Sequence, residues 1–221
     1  MRDFTPARNA DAGIRAHRPP LQYCMIGIVP FPSQPHGIHM KQTAESAWPD
    51  ALHALLRAAE VRQVAIVPDA GHARLITLCE TDKSMRVVRL TTEEEGVAQL
   101  AGAWLGGEKG VLLMQSSGMS NCINMLTLPI ACQFPLLMLV TMRGDHGEFN
   151  PAQIPMGNST QAVLEAMGVI VKRADTPDDV PEMVSSALRL AFNTYRPVAL
   201  LIGQRALGAK DFRKLTQSVS Q

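Results

Sequence analysis

The chain has 221 residues, enough to bury one sizeable core. Lys plus Arg number 21 against 20 Asp plus Glu, and a formal net charge of +1 excludes an electrostatic grip on nucleic acid or on an anionic membrane surface. Hydrophobic residues make up 46% and aromatic ones 5%, a composition that suits helices layered on a buried sheet. The longest apolar run, 134–142, falls far short of the roughly 20 residues that span a bilayer. Cys24, Cys79, Cys122 and Cys132 form no CxxC pair and no His stands at metal-ligand spacing from them, so neither a zinc site nor a disulfide framework is expected. The N-terminus lacks the charge, apolar core and cleavage-site order of a signal peptide, and a cytoplasmic location is expected.

Residues 1–40 mix Arg, Asp, Asn and Pro without periodicity and are expected to be a partly disordered arm, with Met40 as a second candidate start. A regular pattern begins near residue 43. The spacing predicts helices over 48–59, 73–79, 94–105, 121–132 and 160–167, and a helix start at Thr176-Pro177-Asp178-Asp179, with Thr as cap and Pro in the first turn. Short apolar runs predict strands at 64–67, 86–90, 111–114, 136–141, 169–172 and 198–202. Strands that are apolar throughout and alternate with helices imply a doubly wound α/β fold: six parallel strands with helices on both faces. One domain over 41–208, followed by a tail over 209–221, is the expected organisation.

In open sheets of this kind, ligands bind beyond the carboxyl ends of the strands. That rule selects four loops: 68–72, 91–95, 115–121 and 143–158. In Thr91-Thr92-Glu93-Glu94-Glu95, Thr92 and Glu95 can form a capping box, and acids suit the positive end of a helix. Capping accounts for Glu95 and adequately for Glu94; it does not require Glu93. Gln115-Ser116-Ser117-Gly118 offers backbone N–H groups after a strand, although it is neither a Walker A loop nor a nucleophile elbow, and taken alone it is better explained as a turn with Ser caps. Arg143-Gly144-Asp145-His146-Gly147-Glu148 holds a His beside acids, but no marked nucleophile, which disfavours a hydrolase built on Ser117 and His146. His72 is a candidate substrate contact, or equally a cap.

Taken together and in order, these loops carry a resemblance. Glu93-Glu94-Glu95-Gly96-Val97-Ala98, Ala101-Gly102 and Met114-Gln115-Ser116-Ser117-Gly118-Met119-Ser120-Asn121 resemble the pyrimidine-binding (PYR) domain of thiamine diphosphate decarboxylases. Sulfopyruvate decarboxylase α subunits are the nearest group and phosphonopyruvate decarboxylases the next. Val67-Pro68-Asp69 is similar to the end of that group's first strand, and Arg143-Gly144, Glu148, Asn150, Gln153 and Pro155-Met156-Gly157 to its long loop. The resemblance covers about residues 43–205.

The resemblance implies one catalytic glutamate, by spacing Glu93 with Glu94 as the alternative, whose carboxylate bonds N1′ of the cofactor's aminopyrimidine and favours its imino tautomer. It further implies cofactor contacts at Pro68, Asp69, Ser117 and Gly118. Gln115, Asn121, His72 and Arg143 are the candidates for binding a small anionic 2-oxo acid. The family holds the diphosphate and Mg²⁺ on a second (PP) domain with Gly-Asp-Gly and a downstream Asn; here His146 breaks that motif. The implied protein is the α half of a hetero-oligomer, completed by a PP-domain β subunit. Its expected activity is decarboxylation of sulfopyruvate to sulfoacetaldehyde. The alternatives are a phosphonopyruvate decarboxylase subunit and a non-catalytic α/β binding or scaffolding subunit.

Overall fold

The alternation of side chains along each strand decides which helices cover which face of the sheet. A computed structural model describes residues 48–208; the expected arm at 1–40 and tail at 209–221 lie outside the described residues. In chain order the elements are α1 (Trp48–Ala58), β1 (Val61–Ile66), α2 (Ala73–Thr81), β2 (Arg86–Arg89), α3 (Glu93–Leu105), β3 (Lys109–Gln115), α4 (Ser116–Cys122) and α5 (Thr127–Cys132). They continue with β4 (Leu136–Thr141), α6 (Ile154–Ala166), β5 (Ile170–Ala174), α7 (Asp179–Thr194), β6 (Pro197–Ile202) and α8 (Gln204–Leu207). Single 3₁₀ turns at Ala70–His72 and Pro151–Gln153 lead into α2 and α6.

The sheet order is β2-β1-β3-β4-β6-β5, and every neighbouring pair is parallel. This is the doubly wound α/β fold. Val64, Ile66, Val111, Leu113, Leu137, Leu139, Val198 and Leu200 face one way and pack with Leu52 and Leu56 of α1, Leu75 of α2 and Val184 and Leu188 of α7. Ala65, Leu112, Met114, Met138, Val140 and Leu201 face the other way, against Val97 and Leu100 of α3, Met119 of α4 and Leu164 of α6. Gly96 lets α3 approach closely, since a Cβ there would stand 2.5 Å from a Leu112 methyl group. No helix among the described residues is long and apolar enough to cross a membrane.

Three expected boundaries are corrected. The single helix at 121–132 is two short ones: α4 starts at Ser116, straight off β3, and the chain turns through 123–126 before α5. The helix expected at 160–167 begins at Ile154. Its first turn packs against the preceding loop, and at Gly157 a Cβ would lie 2.3 Å from the Arg143 carbonyl oxygen. The cap at Thr176 runs in reverse: its N–H and hydroxyl both donate to the Asp179 carboxylate, and α7 begins only at Asp179, beyond Pro177.

Candidate active site

The strand order reverses at β1, whose neighbours are β2 on one side and β3 on the other, and open sheets bind ligands where such a reversal opens a crevice at the carboxyl ends. The loops after β1 and β3 meet there. Asp69, ending the β1 loop, accepts from the backbone N–H of Gly71 (3.0 Å), the Gln115 amide (3.1 Å) and the Thr141 hydroxyl (2.6 Å). Ser117 donates to the other end of the Gln115 amide at 2.7 Å. With one end of the Gln115 side chain donating and the other accepting, its orientation is fixed at the strand terminus. Pro68, just before Asp69, is exposed. Asp69, Gly71, Thr141, Arg143, Phe149 and Gln204 line a small cavity of about 80 Å³ beside this network.

Glu93 is the first residue of α3. Its side chain turns inward and is 8% exposed, whereas Glu94 and Glu95 are exposed. Glu95 reaches back past the cap residue to accept the Thr91 N–H at 2.8 Å, and Thr92 makes no side-chain cap bond, so the expected capping box is replaced by this single bond. Asn121 donates to Glu93 Oε2 at 2.8 Å. On the same face of α4 a Cβ at Gly118 would stand 2.0 Å from Glu93 Oε1, so only glycine admits the carboxylate. Ser117 and Gly118, adjacent in sequence, join the Glu93 pair to the Asp69–Gln115 network. The structure thus brings together Glu93, Asp69, Gln115, Ser117, Gly118 and Asn121.

The structure places two of the expected substrate contacts in other interactions. His72 is fully buried, with Nε2 3.0 Å from the Leu139 carbonyl oxygen, which makes Nε2 the donor. Burial pushes its pKa down, against the opposing effect of the nearby Asp69 carboxylate. Arg143 grips Glu148 with both arms of its guanidinium, at 2.5 and 2.6 Å, rather than presenting a free fork to an anion. The Arg143 hydrogen bonds, helped by the Asn150 N–H and the Gln204 amide, hold the Glu148 carboxyl at about 2 against the opposing effect of burial. Asn121 was also expected at the substrate; the observed bond of its amide is to Glu93. His146 forms no catalytic pair with Ser117, whose hydroxyl is bonded to Gln115.

The sequence reading missed Thr141, Glu148 and Gln204 as organisers of these loops. Thr141 carried a signal, as the polar last residue of an otherwise apolar strand. The pairing of Glu148 with Gln204 spans 56 residues and left none. Among the described residues no group of three His, Cys, Asp or Glu side chains is arranged to hold a metal ion.

The class that this fold and site define is an open, doubly wound parallel α/β protein with one buried carboxylate, Glu93, at the carboxyl ends of its strands. No family model matches the chain. It is 37% identical over 140 residues to sulfopyruvate decarboxylase subunit alpha of Methanococcus maripaludis, covering 63% of this chain and 84% of that one, and it belongs to that family. It is also 37% identical over 107 residues to phosphonopyruvate decarboxylase of Streptomyces viridochromogenes, covering 48% of this chain and 27% of that protein. In fold it is similar to a 2-oxoglutarate:ferredoxin oxidoreductase from Magnetococcus marinus, at a TM-score of 0.56 and 17% identity over 72% of this chain and 29% of that one.

Proposed function

We propose that this chain is the pyrimidine-binding subunit of a thiamine diphosphate-dependent 2-oxo acid decarboxylase acting on sulfopyruvate. The observation that carries this is the buried Glu93 carboxylate, set against Gly118 at the carboxyl end of the sheet. The family relationship supplies the substrate class.

The residues present suit the cofactor's aminopyrimidine end. Glu93 has one oxygen engaged by Asn121 and a second beside Gly118, where the bare backbone leaves the carboxylate uncovered by any side chain at that position. Glu93 would hold the aminopyrimidine through a hydrogen bond at N1′, and its low exposure would strengthen that bond. Asp69, held by Thr141 and Gly71, fixes the Gln115 amide at the strand end, where Gln115 orients the 2-oxo acid. Thiamine diphosphate, when bound, supplies the carbon nucleophile and the electron-accepting ring that decarboxylation requires. The diphosphate and Mg²⁺ fall to a PP-domain β subunit, and the working enzyme is a hetero-oligomer with its site between the two chains.

The test is to purify the chain with and without a candidate β subunit carrying Gly-Asp-Gly. Thiamine diphosphate and Mg²⁺ are supplied, and CO₂ release is followed from sulfopyruvate, phosphonopyruvate and pyruvate. Turnover is expected from the pair only, with sulfopyruvate preferred. Glu93→Gln is expected to lower it a hundredfold or more, in the range of lost proton-transfer catalysis. Glu94→Gln, on the exposed face, is expected to leave it unchanged. Turnover by the isolated chain, or full activity of the Glu93→Gln pair, would overturn the assignment.

A further inference from the structure

Asn121 is an exposed residue whose amide reaches inward to a buried acid 28 residues earlier in the chain. Three features make that contact specific. α4 starts at Ser116 without an intervening loop, which puts Gly118 and Asn121, three residues apart, on one face of the helix. Gly118 brings that face against the Glu93 carboxyl with no room for a side chain. Asn121 then meets Oε2 and leaves Oε1 on the Gly118 side, so the two carboxylate oxygens have different surroundings. A carboxylate on a flexible side chain, bonded at one oxygen and walled by backbone, has its rotamer and the direction of its other oxygen set from outside.

We propose that Asn121 is the positioning residue for Glu93: its amide orients the carboxylate and does not bind the substrate. The inference rests on the assignment of Glu93 to the aminopyrimidine. An amide donor lowers the energy of the charged carboxylate and gives nothing to the protonated oxygen it faces. The ionisable groups around Glu93 permit a clean reading of that effect. Glu94 and Glu95 on α3 are exposed. Cys122 on α4 has its thiol pushed up to about 12, mainly by burial, and stays uncharged at neutral pH. The strands beneath α3 present Ala65, Leu112 and Met114, none of which titrates.

The experiment follows the Glu93 carboxyl carbon by NMR in the full chain with ¹³C-labelled glutamate, the resonance being assigned by its loss in Glu93→Gln. Asn121→Ala removes the donor, and the Glu93 carboxyl resonance at neutral pH is expected to move from its parental position and broaden as the side chain gains rotamers. Asn121→Asp keeps the shape but places a second carboxylate beside the first, so the resonance is expected to move further. Both variants are expected to melt within a few degrees of the parent, because Asn121 is exposed. In the αβ pair both are expected to lower kcat tenfold or more with KM for the 2-oxo acid little changed. An unmoved Glu93 resonance in both variants would overturn the proposal, and so would a rise in KM at constant kcat. A moved resonance in a chain whose αβ pair decarboxylates no 2-oxo acid would leave the positioning role standing and remove the decarboxylase assignment.

Discussion

Gly118 is the tightest point of the site. A methyl group there would lie 2.0 Å from Oε1, 2.2 Å from Cδ and 2.6 Å from Cγ of Glu93, well inside contact distance for three atoms at once. Glu93 starts a helix and can swing only outward, so Gly118→Ala is expected to expel the carboxylate from its position. Overpacking of this kind costs about 1–3 kcal/mol of stability, and turnover of the αβ pair is expected to fall at least tenfold. Denaturant unfolding and CO₂ release measure the two effects separately; parental values in both would mean that the carboxylate does not need its place against α4. At this scale the sequence separated the three glutamates by what capping left unexplained, and Glu93 is indeed the one turned inward. It could not separate the roles of the polar partners. Asn121 meets Glu93 only because α4 begins at Ser116, and His72 is buried only because the β4 carbonyl of Leu139 stands beside it, neither of which local pattern encodes.

The loop between β4 and α6 is fastened by two carboxylates: Asp145 accepts from Arg173 at 2.5 Å and from the Gln204 N–H at 3.3 Å, and Glu148 is the more deeply buried of the two. Glu148 accepts from Arg143, from the backbone N–H of Asn150 and from Gln204 after β6, which ties the loop to two strand ends. Its side chain is 2% exposed, so solvent screens the bond with Arg143 little. The folded carboxyl sits at about 2 against an ordinary value of 4.5. A depressed folded value contributes stability above the unfolded value and loses it as pH falls through the folded one. Stability is therefore expected to hold between pH 5 and 8 and to drop by about 3 kcal/mol between roughly pH 4.5 and 2 through this group. In Glu148→Gln that part of the acid dependence is expected to vanish. Urea unfolding of both proteins across pH 2–7 checks it, and parallel curves would show that Glu148 is not the group responsible. This latch also explains the misplaced start of α6. Gly144 adopts φ +82° and Gly157 packs on the Arg143 carbonyl, so the residues at 154–159, which look like loop from their Pro, Gly and Asn content, are wound into helix by contacts made across the loop.

At the largest scale, the described residues build two apolar layers, one on each side of the sheet. Leu52, Leu75 and Val184 cover one face and Val97, Met119 and Leu164 the other, each fully buried. β3, β4 and β6 at the centre are buried nearly throughout, which is why their unbroken apolar runs made the parallel α/β class legible without any long-range information. The strand order was not legible, because nothing local to β5 or β6 says that the later strand lies inside the earlier one. Among the described residues, all six strands and the helices that cover them lie between 48 and 208. A chain beginning at Gln42 is expected to unfold in one cooperative transition with a Tm within a few degrees of the full chain and an unchanged denaturant m-value. Circular dichroism melts and urea titrations of the two lengths make the comparison. A broad or lost transition in the shorter chain would mean that residues 1–41 complete one of the two layers, and the 48–208 core would no longer account for the stability of the fold.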